Sequence, residues 1–273
     1  MASTVTNATN VATRIPFDSC PLCAGEDALE IKVADCRQHP LYKKALPADV
    51  RWIACDGCGH VFTDGYFDDR ALEILFRDVQ SSQMPGALPV AHGRGVAAKI
   101  VEDVARFRDR LDGRWLDVGF GDGSLVMTAA EFGYDVVGLD LRASSVAKMR
   151  AMGFDAHAIE LQAFEASEPF DVISMADVLE HMPFPKQALA KAHALLAADG
   201  VLFVSMPNMD AFAWKDLDAR GANPYWAEIE HLHNFGRKRL YALLEEMGFS
   251  PCRYGISQRY VACMEVVARK RPL

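Results

Sequence analysis

Four cysteines stand in two Cys-x-x-Cys pairs, Cys20/Cys23 in "CPLC" and Cys55/Cys58 in "CDGCGH". Two such turns can deliver four thiolates to one tetrahedral centre, and the Pro or Gly inside each turn lets backbone N–H groups face the sulfurs. Zinc is the expected occupant, with an iron centre or two unrelated redox pairs as the rivals. A closed four-thiolate site keeps no open position for chemistry, so its expected role is folding and docking. His60 finds no vacancy in a complete set of four thiolates, and Cys36, Cys252 and Cys263 read as single buried thiols.

The second chemical feature is the turn "WLDVGFGDGSL", where Asp117 lies at the end of an apolar strand and Gly119, Gly121 and Gly123 follow as D-x-G-x-G-x-G before a helix. Glycines allow the tight turn and a close approach of backbone to a ligand. Asp140 closes the next strand in "VVGLDLR", placed to accept hydrogen bonds from ribose hydroxyls. A nucleotide-bearing cofactor is the natural ligand, but the turn by itself does not choose between cofactors. Ser124 stands where a dinucleotide fingerprint has its third glycine, which speaks against NAD.

These residues need elements to position them. Residues 1–14 are small, polar and aperiodic and read as a disordered leader. In residues 15–66 the cysteine turns bracket two strand-like runs, "ALEIKVA" and "VRWIA", giving a zinc ribbon; 67–92 reads as a linker or helix. From about Gly93, Val96, Ile100, Val104, Phe107 and Leu111 recur at helical spacing, and Gly113 is the expected stop. Apolar runs at 114–118, 134–140, 155–159, 170–175 and 200–206 then alternate with helical segments ending at Gly133, Gly153 and Gly200. Such alternation means βαβ units: an α/β fold with a mostly parallel sheet covered by helices on both faces. A last helix at about 237–247 and two strand signals complete the domain, which is expected to span 93–273 with a 207–235 insertion.

The run "LDVGFGDGSL…VVGLDLR…FDVISMADVLEHMPFPKQALAKAHALLAADGVLFVSMPN" resembles class I S-adenosylmethionine-dependent methyltransferases, in particular the subgroup carrying "VLEH-x-P-x-P" and a later "PN". The resemblance covers roughly residues 94–268. It implies a Rossmann-like seven-stranded sheet with a reversed final hairpin, S-adenosylmethionine as cofactor, its methionine part at Gly119–Gly123 and its ribose on Asp140. By the same resemblance Asp117, Leu141, Glu160, Leu161 and Ala176 border the cofactor, Glu160 and Leu161 along its adenine. Phe120 departs from the family, which has Cys or a small residue there; altered packing is expected, not lost binding. The zinc-ribbon prefix is similar to that of some small-molecule and sugar methyltransferases, and of one ribosomal RNA guanine methyltransferase group.

Methyl transfer from a sulfonium is an in-line displacement, so positioning supplies most of the rate and a base matters only when the acceptor must lose a proton. Two segments offer candidates. In "ADVLEH", Asp177, Glu180 and His181 would share one face of a helical turn and could bind a second divalent cation, as certain quinone-biosynthetic O-methyltransferases with a similar run do; alternatively Glu180 pairs locally and His181 only packs. In "EIEHLHNF", His231 is the preferred general base, or else a loop-holding histidine, while His233 points the opposite way on extended chain. Phe212, Trp214, Tyr225 and Trp226 in the insertion either form a lid and acceptor pocket or simply pack.

A net charge of −8 on 273 residues argues against a broad nucleic-acid footprint, and the basic patches "GRKR" and "RKRP" read as a solvated helix start and tail. The longest apolar runs fall short of a membrane span, and the tight cysteine pairs fit reducing surroundings, so a cytoplasmic protein is expected. The expected acceptor is the hydroxyl or amine of a small metabolite or sugar, in an assembly of unspecified size. An RNA methyltransferase gripping nucleic acid with its ribbon, and a cofactor-binding module without catalysis, are the alternatives.

Overall fold

The computed structural model describes residues 13–77, 84–86, 90–108 and 110–272, so the leader up to residue 12 and parts of the 67–92 segment lie outside the described residues. Strand β1 (Arg14–Pro16) pairs with β5 (Gly65–Phe67), so Arg14 is strand rather than leader. Between them β2 (Ala28–Asp35), β3 (Asp49–Cys55) and β4 (Val61–Thr63) form an antiparallel meander. The two cysteine turns are built alike. Cys20 N donates to Gly25 O and Ala24 N to Cys20 O; Cys55 N donates to His60 O and Gly59 N to Cys55 O, all at 2.8–2.9 Å. The fourth residue after the first cysteine has positive φ in both turns, 58° at Ala24 and 68° at Gly59.

Helix α1 (Asp69–Arg77) and helix α2 (Val90–Ala105) follow. The helical spacing of Phe107 and Leu111 outlasts the helix. Arg108 turns in to pair with Asp171, Phe107 packs at the edge of the core and Leu111 is 55% exposed.

The main sheet consists of β6 (Gly113–Val118), β7 (Tyr134–Leu139), β8 (Asp155–His157), β9 (Phe170–Ala176), β10 (Leu196–Pro207), β12 (Phe249–Ile256) and β13 (Cys263–Lys270), in the order β12-β13-β10-β9-β6-β7-β8. Only β13 runs against its neighbours. Alternate residues of each strand bury opposite faces, as continuous apolar runs require. Trp115, Val136, Val172 and Phe203 pack under α2, α3 (Ser124–Glu131) and α4 (Ala143–Ala151). Leu116, Val137, Ile173 and Leu202 pack under α5 (Pro185–Leu195) and α7 (Arg237–Glu246). Helix α5 stops at Leu195, ahead of the expected Gly200, because β10 already begins at Leu196 and an irregularity between Leu196 and Val201 absorbs the glycine within the strand. The order reverses at β6, whose neighbours β7 and β9 leave a crevice at their C-terminal ends, where ligands bind in open α/β sheets.

The insertion does not stand apart from the N-terminal module. It carries α6 (Phe212–Ala219) and a two-residue strand β11 (His233–Asn234), which pairs with β4 to make a four-stranded sheet β11-β4-β3-β2. Trp214 and Trp226 are buried with Trp52 of β3, whose indole Nε1 donates to Trp226 O at 2.8 Å, and Tyr225 stacks on Trp214. Packing accounts for these three aromatics of the insertion, whereas Phe212 is 85% exposed. Among the described residues, no helix is long and apolar enough to cross a membrane.

Candidate functional site

The crevice begins at the glycine turn. Gly119, Gly121 and Gly123 have φ of 69°, 59° and 74°, and a Cβ would sit 2.6 Å from Val178 Cγ2 at Gly119 and 2.6 Å from Met149 Sδ at Gly123. Both the conformation and the close approach therefore demand glycine. Phe120 turns its ring inward against Gly138 of β7, where a Cβ would lie 2.8 Å from the ring, so a missing side chain on one strand makes room for the extra bulk beside it. Only the backbone of Phe120 remains at the turn, where its N–H and that of Gly119 donate to Leu139 O.

Two carboxylates flank the turn. Asp140 Oδ2 accepts from Gly121 N at 3.2 Å, and its two oxygens are gripped by Arg142 through the backbone N–H, Nε and Nη2 at 2.6–2.9 Å. Asp117 is almost fully buried; it accepts from Ser174 Oγ at 2.5 Å, and Ser174 in turn accepts from Trp115 Nε1 at 2.8 Å. Among the described residues no cation lies within ion-pair distance of Asp117, and burial lifts its pKa to about 7. Leu141 is 46% exposed, Glu160 is exposed and Leu161 is buried after β8, while Ala176 ends β9 opposite Ser205.

The "ADVLEH" segment is shaped differently from the expected helical turn. Asp177 takes φ 57°, a left-handed conformation that Asp tolerates better than most residues, with its N–H donating to Ser205 O. Its carboxylate accepts from Ser205 Oγ at 2.9 Å and pairs with Arg259 at 2.6 Å, so it leaves the Glu180–His181 pair. His231 takes its place: the ligand atoms of Glu180, His181 and His231 all lie within 4.8 Å of one another. A short 3-10 turn at Leu179–His181 and the hydrogen bond from Leu232 N to Glu180 O, 2.9 Å, bring the two segments together. His181 Nδ1 lies 3.0 Å from Glu230 O; a carbonyl only accepts, so Nδ1 is the donor, and in the neutral ring Nε2 carries the lone pair. The two imidazoles meet edge to face with centroids 4.8 Å apart.

Burial dominates the electrostatics here. Glu180 is 1% exposed, neither carboxylate oxygen has a hydrogen-bond partner among the described residues, and burial followed by the Asp177 charge drives its pKa well above the usual range. His231 is pulled well below the usual imidazole value, chiefly by burial and then by His181 and His39, and its Nδ1 has no partner among the described residues. His233 faces away, as expected for extended chain: Nδ1 meets His60 Nε2 at 3.0 Å and Nε2 meets Met182 O at 2.9 Å. His60 is thus a bridge between the ribbon and the site. His39, from the loop after β2, pairs with Glu228 at 2.8 Å and ties the same segment from the other side.

The four cysteine sulfurs also lie within 4.8 Å of one another, paired at 3.7 Å for Cys20–Cys58 and 3.5 Å for Cys23–Cys55. Backbone N–H groups turn toward them, and the Gly25 N–H lowers the Cys23 pKa to about 7.

Residues 91–252, more than half of the chain, match a family model described as a methyltransferase domain. The chain belongs to this methyltransferase family. The methyltransferase is 34% identical over 107 residues to the ubiquinone biosynthesis O-methyltransferase of Pectobacterium atrosepticum, a stretch covering 36% of this chain and 44% of that protein. The corresponding protein of Histophilus somni is 34% identical over 111 residues, 36% of this chain and 47% of its own length. The chain spans about half the length of these curated relatives. Among solved structures, 1,6-didemethyltoxoflavin-N1-methyltransferase of Burkholderia thailandensis, bound to 1,6-didemethyltoxoflavin and S-adenosylhomocysteine, matches at a TM-score of 0.55 and 20% identity, covering 78% of this chain and 96% of that one. Magnesium protoporphyrin IX methyltransferase of Synechocystis PCC 6803 with bound S-adenosylhomocysteine matches at 0.54 and 18% identity, covering 66% and 85%. At these identities the likeness is one of fold.

Sequence reasoning missed Arg259, Ser205 and Ser174. Arg259 sits in "SQRY" of the loop between β12 and β13, and only the pairing of β13 with β10 brings it to Asp177.

Proposed function

We propose that this methyltransferase moves the methyl group of S-adenosylmethionine to a hydroxyl or amine of a small metabolite or sugar. The observation that carries the reading is the pairing of the glycine turn, at the reversal point of the sheet, with the half-buried His181, whose neutral ring carries its lone pair on Nε2. Asp117 is a buried carboxyl lacking a cation, which the α-ammonium of the cofactor would supply, and the turn amides would face its carboxylate. Asp140 would take the ribose hydroxyls once the Arg142 fork swings aside, since that fork and Gly121 now fill its acceptor positions. In this reading the base is His181, whose Nε2 receives the acceptor proton during in-line attack, while the more deeply buried His231 packs edge to face against it and orients it.

The orphaned carboxylate of Glu180 supports a second reading of the same trio. One carboxylate and two imidazoles fit a divalent cation, which would neutralise Glu180 and draw in an acceptor oxygen. At the cysteines, sulfurs at tetrahedral vertices about 2.3 Å from zinc stand about 3.8 Å apart, close to the paired spacings seen, so a structural zinc fits there.

A screen of metabolites with radiolabelled S-adenosylmethionine tests the site. His181→Ala is expected to slow turnover by about 10²–10⁴-fold with cofactor affinity unchanged, while His231→Gln costs less. An acceptor that turns over equally fast with both variants removes the base from the mechanism and leaves positioning alone.

A further inference from the structure

A groove of about 1120 Å³ runs between α6, α7 and the β12–β13 hairpin, outside the crevice described above. Its composition is unusual for this chain in two ways. The three most exposed large apolar side chains among the described residues, Phe212 at 85%, Val261 at 74% and Ile256 at 69%, all line it. Three cations line it as well, Lys215, Arg237 and Lys238, and among the described residues none of them has an ion-pair partner, although the chain as a whole carries a net charge of −8. Asp210 and Glu245 also reach the groove, so its own balance is positive by one charge, three cations against two carboxylates.

Arg237 is the organised member of this set. Its guanidinium lies over Tyr254 at 4.3 Å and Tyr241 at 5.1 Å from the ring centroids. The two rings hold the group beside the apolar wall, and a guanidinium so placed can receive a carboxylate or phosphate through two parallel hydrogen bonds. Tyr254 is itself held by Asn208 Nδ2, 3.2 Å from its hydroxyl. An apolar wall of this size on a concave surface, with an unpaired guanidinium at one side, is complementary to an amphipathic anion.

The groove also adjoins the reaction crevice. Asn208 and Cys263 form part of its wall, and Asn208 lies three residues beyond Ser205, which holds Asp177. Cys263 pairs in register with Pro207, and Ser205 with Glu265 two positions along β13, so the groove opens at the same end of β10 as Asp177. We propose that the groove holds the non-reacting part of the methyl acceptor, and that this part is an amphipathic anion, a flat or aliphatic body bearing a carboxylate or phosphate. This rests on the methyl-transfer reading above and adds the chemical class of the acceptor to it.

The test uses two fluorescent probes with the same body: 8-anilinonaphthalene-1-sulfonate and its uncharged analogue N-phenyl-1-naphthylamine. The wild type is expected to bind the sulfonate about tenfold more tightly. Arg237→Met, which keeps the stacked surface and removes the charge, erases that preference; Lys238→Gln reduces it, and Phe212→Ala weakens both probes alike. S-adenosylhomocysteine affinity stays unchanged in all three variants. In the radiolabel screen, metabolite acids are expected to outrun their methyl esters in kcat/KM by a similar factor, through KM, and Arg237→Met removes the difference. No preference for the sulfonate, a preference that survives both charge variants, or equal use of acids and esters overturns the proposal. Failure of S-adenosylhomocysteine to bind would instead strike the methyl-transfer reading, because the probe titration does not involve the cofactor.

Discussion

Cys55→Ser is expected to abolish methyl transfer although the four cysteines form a cluster separate from Glu180, His181 and His231. Cys55 ends β3, and β3 holds β4, which holds β11 at His233–Asn234, two residues from His231. Thr63 N donates to Leu232 O at 2.9 Å, and Trp52 of β3 donates to Trp226 O, so the ribbon fixes the whole segment that carries His231. Zinc binding to such four-ligand modules supplies on the order of 10 kcal/mol of folding free energy, and removing one ligand forfeits several of them. The variant should lose the zinc proposed for the four thiolates, become protease-sensitive in residues 13–67 and drop below detectable turnover, while the sheet of the main domain persists by circular dichroism. A variant retaining full zinc and full activity would separate the ribbon from catalysis and refute this coupling.

Asp117→Asn should raise stability above neutral pH while weakening cofactor binding, an opposition that a merely structural residue does not produce. The native carboxyl has its pKa raised from 3.8 to about 7 by burial, so between those values the folded state holds a proton that the unfolded state has released. Stability therefore falls as pH rises through this window, by on the order of 4 kcal/mol in all. The amide removes that slope but leaves a buried NH2 without a partner, at a cost of about 1–3 kcal/mol. The variant should be slightly less stable than wild type at pH 5 and more stable at pH 8, as followed by denaturant melts. Its affinity for S-adenosylhomocysteine should fall by about 10–100-fold, the worth of one hydrogen bond to a charged group. A stability difference that is flat from pH 5 to pH 8 would dispose of the buried charge, and unchanged affinity would dispose of its partner.

What was legible from the residues alone was local. The glycine turn declares itself because positive φ at Gly119, Gly121 and Gly123 is a demand made residue by residue, and the cysteine turns because metal ligation fixes short spacings. The parallel strands were legible because burial on both faces writes continuous apolar runs. The rest is long-range. His181 and the Glu230 carbonyl that sets its tautomer are 49 residues apart, and His60 and His233 are 173 apart. No periodicity marks β11, which is two residues long and exists only because β4 offers it an edge. The helical reading of "ADVLEH" failed for a local reason: strand β9 ends at Ala176 with Asp177 turned left-handed, which swings its carboxylate to Ser205 and Arg259 and opens the place that His231 fills. Phe120 shows the converse case, a departure at one position answered by Gly138 on a neighbouring strand.

Calorimetric titration of the purified chain with S-adenosylhomocysteine, alongside NAD, tests the central claim most directly. One tight site for S-adenosylhomocysteine, lost in Asp140→Ala, and no heat with NAD are the expected results. Tight binding of NAD with none of S-adenosylhomocysteine would contradict the cofactor assignment and with it the proposed methyl transfer.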